Sequence, residues 1–517
     1  MSIIDFAVRK VAARQMRRLE KALAQPIAAQ EAALQLLLKQ ARQTRYGQQY
    51  GAEAITNYTQ YAAHFPLATY ETLEPYIQEM RTGARNVLYP GFVRWFAKSS
   101  GTTSSKSKYI PVTDDALQRC HYQAGRDILA VFLQQNPASR FYRGKGLTLG
   151  GSHKIEASRG MTHDGDLSAI LLQRIPRWAD WIRTPSREVA LTADFQKKLE
   201  GIAKEAVKQR VTSLSGVPSW NLVMLKYLLE VTGKENISEL WPDLEVFFHG
   251  GISFTPYRAQ YEALIPSPKM HYLETYNASE GFFCIQTEPT DSNMQLMVDY
   301  GIYYEFIPMS EFGKENPTVV PLEGVRVGVN YAMVITTTSG LYRYVIGDTV
   351  QFSSINPYFL RITGRTKHYI NAFGEELIID NAEQGLRTAC EKTGAVVSEY
   401  TVAPRFMAQN TQGAHEWYIE FAQQPADLDA FAQILDSALC TVNSDYEAKR
   451  TNNVTLAPLV LHALPAGTFV GWMAHRGKLG GQNKVPRLSN DRTYAESLEE
   501  FLRHETAQNR EGTNSIR

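Results

Sequence analysis

Apolar residues recur at helical spacing through the first 85 residues and at strand spacing in much of the chain that follows. Residues 28–38 are rich in strong helix formers, and Leu34, Leu37 and Leu38 form an apolar stripe. From residue 92 to about 362, strand-like runs alternate with helical ones. The strand-like runs are 146–149, 244–248, 331–337 and 341–346, and the helical runs are 115–134, 194–206 and 220–231. This mixture predicts an α/β fold with helices flanking mixed sheets.

The pattern changes after a polar, turn-forming segment, Gly364-Arg365-Thr366-Lys367. Beyond it we expect helices at 381–393 and 428–443 and strands at 395–402, 416–421 and 457–463. That is an α+β pattern of the size of a small separate domain. The sequence therefore predicts a large domain over 1–365 and a smaller one over 366–517.

Charge and cysteine usage narrow the classes of function. The 517 residues include 54 Lys and Arg against 53 Asp and Glu. This balance implies no broad positive electrostatic field that would attract nucleic acid, so any charge that binds phosphate must be local. The four cysteines are far apart and form no C-x-x-C, which indicates neither a zinc site nor a disulfide framework. A reducing cytoplasm fits this usage.

The first 23 residues are alternately basic and apolar. The segment is interrupted too often for a secretory signal, by Arg9, Lys10, Arg14, Arg17 and Arg18. An ordinary amphipathic helix is favoured over a transit peptide or a helix on a membrane surface. No stretch approaches the roughly 18 uninterrupted apolar residues of a membrane span.

The most informative segment is residues 97–108, AKSSGTTSSKSK, which is almost entirely Ser, Thr, Gly and Lys. Backbone N–H and hydroxyl groups can surround phosphate oxygens while Lys106 and Lys108 offset their charge. Strand-like residues on both sides predict that the loop caps a hairpin. It lacks the spacing of a Walker loop, and a mobile polar linker would explain its composition equally well.

Two further motifs follow strand-like segments. His249-Gly250-Gly251 would let a flat ligand approach the backbone, although a plain turn explains a double glycine too. In Tyr276-Asn-Ala-Ser-Glu-Gly, the ring could stack on adenine and Glu280 could bind Mg²⁺, which needs only one or two protein carboxylates. A buried tyrosine and a capping glutamate are the structural alternatives.

Two later motifs could also contact a nucleotide. Asp348, which follows Gly347 at the predicted end of a strand, can accept hydrogen bonds from both ribose hydroxyls; a hairpin turn is the alternative. Lys484, in a glycine-rich segment near the C-terminus, can meet developing negative charge, whereas a solvated surface lysine is the ordinary expectation.

The order of these motifs resembles the adenylate-forming superfamily, and more closely the Gretchen Hagen (auxin-responsive promoter) family of acyl-acid amido synthetases in a bacterial form. Thr44-Arg-Tyr-Gly47 and Lys484-Val-Pro-Arg487 extend the similarity over nearly the whole chain. The resemblance implies a large N-terminal adenylate-forming domain and a smaller, mobile C-terminal domain. ATP and a carboxylic acid would give an acyl-adenylate and pyrophosphate, and an amine, usually an amino acid, would then displace AMP.

The resemblance also assigns residues. Lys484, Glu280 and Arg365 would be catalytic, with Glu280 the Mg²⁺ ligand, Arg365 the basic residue before the hinge and Lys484 the lysine that supports adenylation. The ATP-binding set would be the phosphate loop, the adenine-flanking glycines, the second motif and the ribose-binding aspartate: Ser99, Ser100, Gly101, Thr102, Thr103, Lys108, Gly250, Gly251, Tyr276, Ser279 and Asp348.

This chain departs from the plant pattern at Val345, where plant members carry an arginine three positions before the aspartate. Either Arg343 or Arg365 could take its place near the phosphates. We expect the acyl pocket between residues 115–135 and 150–190, near Trp178 and Trp181, although those rings could equally be core.

Two alternatives remain at this stage. An acyl-CoA ligase would share every ATP residue, and a non-catalytic nucleotide-binding protein could keep the fold. We expect small-molecule partners, a carboxylic acid and an amine, with no nucleic acid, and we favour a monomer. The sequence does not identify the acid or the amine.

Overall fold

The computed structural model of the chain describes residues 3–100, 107–149, 155–157, 161–192, 194–252, 254, 257–288, 293–366, 369–408, 411–451, 455–476 and 485–514, without the side chains of 100, 107, 195, 369, 380 and 505–514. The described residues fall into two compact units. One is formed from Met1–Ser99, Lys108–Phe254 and Tyr261–Thr366, and the other from Ser100–Ser107, Thr255–Gln260 and Lys367–Arg517.

The first unit begins with helices, as the sequence predicts. Their bounds are α1 Ile3–Ala24, α2 Pro26–Ala41, α3 Arg45–Gln49, α4 Tyr58–His64 and α5 Tyr70–Arg81. Short helices start where a side chain caps them, as Thr44 does for α3 by accepting a hydrogen bond from the Gly47 N–H. The predicted stripe Leu34, Leu37 and Leu38 is at most 3% exposed. It belongs to the core of this unit.

A small sheet carries the hydroxyl-rich segment. Its strands are β1 Trp95–Ser100, β2 Ser107–Val112, β4 Glu156–Ala157 and β5 His163–Gly165, in the order β2-β1-β5-β4. Because β1 and β2 are neighbours in the sheet, the prediction that strands flank the loop in a hairpin is confirmed.

A mixed sheet of twelve described strands dominates the first unit, in the order β13-β12-β14-β15-β16-β11-β10-β9-β8-β7-β3-β6. The strands from β6 to β9 are parallel, and those from β9 to β13 are antiparallel. Their bounds are β3 Lys145–Thr148, β6 Arg183–Thr184, β7 Val211–Gly216, β8 Val246–Gly250, β9 His271–Ala278, β10 Gly281–Ile285, β11 Met294–Leu296, β12 Ile302–Pro308, β13 Val320–Pro321, β14 Asn330–Thr337, β15 Tyr344–Ile355 and β16 Tyr358–Arg365.

Further helices lie between these strands, and a one-turn π-helix, Ala116–His121, leads into α6. They are α6 Tyr122–Gln135, α7 Leu167–Arg174, α8 Arg187–Ala190, α9 Phe195–Ala206, α10 Pro218–Thr232, α11 Ile237–Leu240 and α12 Arg258–Leu264. The predicted α/β class with helices around mixed sheets is confirmed.

The second unit contains the α+β pattern expected beyond the polar segment. Its elements are β17 Tyr369–Ile370, β18 Leu377–Ile378, α13 Ile379–Thr393, β19 Val396–Arg405, β20 Ala414–Gln423, α14 Leu428–Val442, α15 Ser444–Arg450, β21 Val460–Leu464, α16 Thr468–His475 and α17 Thr493–Asn514. Strand β20 pairs antiparallel with β19 and parallel with β21. Trp417 and Trp472 are fully buried in this unit.

Candidate active site

Asp348 is held between two side chains that come from distant parts of the sequence. Arg365 Nε donates to its Oδ1 at 2.9 Å, and the Tyr276 hydroxyl donates to Oδ2 at 2.5 Å. The sequence placed Asp348 at the end of a strand, but β15 continues through it to Ile355. Gly347, with a φ of 97°, supplies the local kink that a residue with a Cβ rarely adopts.

The contact between Tyr276 and Asp348 requires a strongly curved sheet. Strand β9 lies four positions away from β15 in the strand order, which would put them about 19 Å apart in a flat sheet. A hydroxyl–carboxylate hydrogen bond across that interval means that the sheet bends back on itself. The site therefore forms inside the curve.

Tyr276 is 4% exposed, so its ring occupies the buried position named above as the structural alternative. Burial raises the pKa of Tyr276 well above its ordinary value, and the charge of Asp348 and their hydrogen bond raise it further. The hydroxyl therefore remains protonated and keeps donating to the carboxylate. Its direct effect is to orient Asp348.

Glu280 lies at the hairpin turn between β9 and β10, where Ala278 pairs with Gly281. It is half-buried, as is Ser279 beside it. The Tyr344 hydroxyl approaches Glu280 Oε1 at 3.5 Å. Burial raises the pKa of Tyr344 well above its ordinary value, with a further contribution from the negative charge of Glu280, so this hydroxyl also stays a donor.

Tyr344 is a site residue that sequence reasoning missed. It stands four positions before Asp348 on β15, and alternate residues of a strand point to one face. The buried positions 344, 346 and 348 follow that alternation. This periodicity was the available signal, because a tyrosine on the same strand face as Asp348 lines the same part of the sheet.

Glycine is required at positions 250 and 251 for two different physical reasons. Gly250 is the last residue of β8, paired with Thr275, and a Cβ there would come within 2.4 Å of the Thr275 carbonyl oxygen. Gly251 has a φ of 86°, and the nearest atom to an added Cβ would be Val217 Cγ2 at 3.5 Å. Tight packing therefore accounts for Gly250, and backbone conformation accounts for Gly251.

The phosphate-loop residues are only partly described. Ser99 is half-buried on β1, and the Lys108 Nζ lies 5.6 Å from the centroid of the Tyr70 ring. The Tyr70 hydroxyl accepts a hydrogen bond from the Tyr109 N–H, and Tyr70 also contributes to the electrostatic environment of Tyr344. Only the backbone of Ser100 is described, and Gly101, Thr102 and Thr103 lie outside the described residues.

Arg343 lies in a buried ion pair with Glu305. Its Nη2 is 2.9 Å from Glu305 Oε1, and its Nε donates to both carboxylate oxygens. Its Nη1 donates to the carbonyls of Ala62 and Phe65. With Nε, Nη1 and Nη2 all engaged, the guanidinium is a structural group.

Lys484 lies outside the described residues, but the residues just after it are fixed to the second unit. The Val402 N–H donates to the Arg487 carbonyl, and the Ser489 N–H donates to the Val402 carbonyl. The Arg487 guanidinium pairs with Glu399 at 2.7 Å. Residues 487–489 thus run alongside β19.

Most of the chain matches a single protein family. Three models of one family match it: the GH3 family N-terminal domain over residues 15–270, the central domain over 295–365 and the C-terminal domain over 380–493. The chain belongs to the GH3 family. The family membership that the sequence predicts is therefore confirmed.

Curated relatives agree with this assignment, and a solved structure has a similar fold. The indole-3-acetic acid-amido synthetase GH3.3 of Arabidopsis thaliana is 23% identical, covering 89% of this chain and 88% of its own. The jasmonoyl–L-amino acid synthetase GH3.5 of Oryza sativa subsp. japonica is 25% identical, covering 89% and 92%. The structure of the AtGH3.15 acyl acid amido synthetase in complex with 2,4-DB has a TM-score of 0.62 at 18% identity, over 94% and 96% of the two chains.

The described part of this GH3 chain contains no cluster of three or more His, Cys, Asp or Glu side chains able to hold a metal. A single carboxylate is nevertheless compatible with Mg²⁺ bound together with phosphates and water. Glu280, half-buried at a turn, fits that description. Asp348 likewise fits a ribose diol, because each carboxylate oxygen has a second lone pair.

The two tryptophans near the expected acyl pocket are surface residues. Trp178 is 60% exposed and Trp181 is 80% exposed. The alternative that they belong to the core is wrong, and their exposure gives no enclosed aromatic pocket. Residues 150–154 of the same region lie outside the described part. Among the helices that the structure describes, none has the length and apolar character to cross a bilayer.

Proposed function

We propose that this GH3-family chain activates a carboxylic acid as an acyl-adenylate and joins it to the amino group of an amino acid. It is an acid–amino acid ligase of the AMP-forming type. The observation that carries the proposal is the convergence of Tyr276, Asp348 and Arg365, with Glu280 beside Tyr344, on one curved sheet. The names of its relatives support the same class of reaction.

The reaction needs two substitutions. An oxygen of the acid's carboxylate attacks the α-phosphorus of ATP, and the bond to pyrophosphate breaks. The amine nitrogen then attacks the acyl carbon, AMP leaves with the bonding electrons, and the nitrogen loses a proton. Activation is required because a carboxylate is a poor electrophile, and no protein nucleophile takes part.

The residues have separate tasks in this proposal. Asp348 accepts hydrogen bonds from the ribose hydroxyls, and Gly250 and Gly251 flank the adenine, as the family resemblance implies. Glu280 would hold Mg²⁺, which supplies positive charge against the phosphates when bound. The hydroxyl-rich loop with Lys108 surrounds the phosphates, and Lys484 supports adenylation, as the family resemblance implies.

Arg365 is the cation that we assign to the phosphate side of the site. Arg365 and Tyr276 each donate a hydrogen bond to Asp348. The Arg365 side chain is 20% exposed, so its guanidinium can reach a ligand. Arg343 cannot do so without leaving Glu305 uncompensated in the interior. Arg365 thus takes the place of the arginine that plant members carry at position 345.

The proposal also includes the acyl acceptor, the oligomeric state and the cellular location. An amino acid is preferred over coenzyme A because the curated relatives are amido synthetases, and the acyl-CoA ligase alternative is not favoured. We propose residues 366–517 as the mobile C-terminal domain, a monomeric state and a cytoplasmic location, following the sequence. The acid and amine are small molecules.

A substrate matrix tests the function. The purified chain, ATP and Mg²⁺ are incubated with a panel of aromatic, cyclic and aliphatic acids crossed with the twenty amino acids or coenzyme A. Acid-dependent pyrophosphate release and an amide detected by mass spectrometry are the expected results, with Glu280→Ala as the inactive control. A thioester in place of an amide would assign the chain as an acyl-CoA ligase. No pyrophosphate release with any acid would favour a non-catalytic protein.

A further inference from the structure

Helix α1 buries one face and leaves large apolar side chains in solvent on the other. Leu19 is buried in the core of the first unit, and Met16 packs against that core. Ile3, Phe6 and Val11 are 88%, 60% and 68% exposed. Single exposed apolar residues are ordinary, but Ile3 and Phe6 lie on one side of this helix, and Ile4, 63% exposed, lies with Val11 on an adjacent side; together they form a patch that marks an interaction surface.

Cations continue the side of Ile3 and Phe6 toward the C-terminal end of α1. Lys10, Arg14, Arg17 and Lys21 recur at intervals of three or four residues, which keeps them on one side of a helix, and all four are exposed. The Lys10 ammonium lies 6.0 Å from the centroid of the Phe6 ring. The apolar patch and the basic stripe are therefore contiguous.

This positive charge is not neutralised by the protein. In the part of the chain that the structure describes, none of these four cations lies within ion-pair distance of a carboxylate. The two acidic residues of α1 are engaged elsewhere: Asp5 accepts from Tyr142 and Arg143, and Glu20 accepts from Gln134. The solvent face of α1 is thus complementary to an anionic partner.

We propose that this face of α1 docks on the surface of an anionic lipid bilayer. The helix lies in the plane of the interface, with Ile3, Phe6 and Val11 entering the boundary of the acyl chains. Lys10, Arg14 and neighbouring cations reach the headgroup phosphates, an arrangement for which amphipathic helices with basic faces are suited. This binding is independent of the proposed reaction.

The shape of the surface favours a bilayer over a protein. A 22-residue helix is about 33 Å long and about 10 Å wide, so its outer face offers about 300 Å². A stable protein interface needs about 800 Å² on each partner. A second copy of the chain would also place like charges opposite each other. A fluid bilayer, in contrast, can close around a narrow, convex helix.

Sedimentation of the full chain with vesicles tests the proposal. We expect binding to vesicles of 30% phosphatidylglycerol in phosphatidylcholine at low salt, and little binding to pure phosphatidylcholine or at high salt. The variant K10Q/R14Q/R17Q should lose about 100-fold in affinity, at about fivefold for each cation. The variant F6S/V11S should lose at least tenfold, because apolar burial is removed.

Matched controls use exposed residues outside this face. Val327→Ser removes an apolar side chain that is 54% exposed, and Lys392→Gln removes a surface cation; both should bind as the unaltered chain does. Thermal unfolding checks that each variant is folded.

Absence of binding to anionic vesicles, or equal binding by F6S/V11S, would overturn the proposal. So would a dimer on gel filtration that F6S/V11S dissociates, since the patch would then be a self-association surface.

Discussion

Asp348 and Arg365 stand opposite each other on β15 and β16, and the Arg365 Nε lies 2.9 Å from Asp348 Oδ1. The carboxylate proposed to bind ribose and the cation proposed to face the phosphates therefore form one unit. Arg365 is the last residue of β16, next to the end of the first compact unit at Thr366. A change to either side chain alters the charge that the other presents to the nucleotide.

The first prediction concerns the orientation of Asp348. Asp348→Asn should raise the KM for ATP at least tenfold, because hydrogen bonds to a charged acceptor contribute about 1.5–3 kcal/mol. Tyr276→Phe should produce a smaller increase, since it removes only the hydroxyl that orients the carboxylate at 2.5 Å. Initial rates of pyrophosphate release at varied ATP provide the measurement. Equal effects of both variants on kcat, with KM unchanged, would contradict these roles.

The second prediction concerns Glu280 as the magnesium ligand. Glu280→Gln should lower adenylation by two orders of magnitude or more and raise the Mg²⁺ concentration for half-maximal rate, because an amide binds Mg²⁺ more weakly than a carboxylate. Glu288→Gln, at an exposed position beyond β10, is the matched control. If both variants titrate with Mg²⁺ as the unaltered chain does, Glu280 is misassigned.

The third prediction distinguishes the roles of Arg343 and Arg365 by the effect of each substitution on the free energy of unfolding. Arg343→Met should lower the free energy of unfolding by about 3–5 kcal/mol, because it leaves the fully buried Glu305 without its partner. Arg365→Met, at a partly exposed pair, should cost about 1 kcal/mol and act mainly on adenylation. Urea unfolding measures both. The double variant R343M/E305L should regain much of the loss, and failure to do so would argue against the ion pair as the cause.

The fourth prediction concerns acid stability of the second unit. The His462 ring and the Arg492 guanidinium lower the pKa of Glu416 to about 2 against the effect of burial. Arg492 Nη1 lies at 2.6 Å and His462 Nε2 at 3.9 Å, beyond hydrogen-bonding distance, so we attribute most of the effect to Arg492.

A carboxyl whose folded pKa is below its ordinary 4.5 stabilises the fold above pH 4.5. That contribution, up to about 3 kcal/mol, is lost as the pH falls from 4.5 to 2. Glu416→Gln should flatten this part of the profile of unfolding free energy against pH, whereas the exposed Glu391→Gln should leave it unchanged. An unaltered profile in Glu416→Gln would show that another group carries the dependence.

The fifth prediction concerns Lys484 and rests on the sequence. Lys484→Ala should slow formation of the acyl-adenylate more than amide formation from preformed adenylate, because its charge is needed while the phosphate is attacked. Rapid-quench measurement of the two half-reactions distinguishes these steps, with Lys392→Ala as the surface control. Equal slowing of both half-reactions would reject the assignment.

Local pattern predicted much of the architecture. The helices of the first 85 residues, the hairpin around the hydroxyl-rich loop and the α+β order beyond residue 366 follow from spacing, because periodicity is a property of neighbouring residues. The prediction from the sequence was wrong where a single residue sets the backbone geometry. Gly347 suggested the end of a strand, yet β15 passes through it with a φ of 97°, because Tyr344 and Val345 pair with β14 before it and pairing with β16 begins at Asp348 just after it.

The sequence by itself determined the order of the motifs, the family and the two-part organisation of secondary structure. Only the tertiary structure decided which groups meet. Tyr276 reaches Asp348 across 72 residues because the sheet, with its twelve described strands, curves, and Arg343 forms an ion pair with Glu305, 38 residues away. Such contacts depend on sheet order and curvature, which arise from packing over the whole unit and leave no periodic mark in the chain.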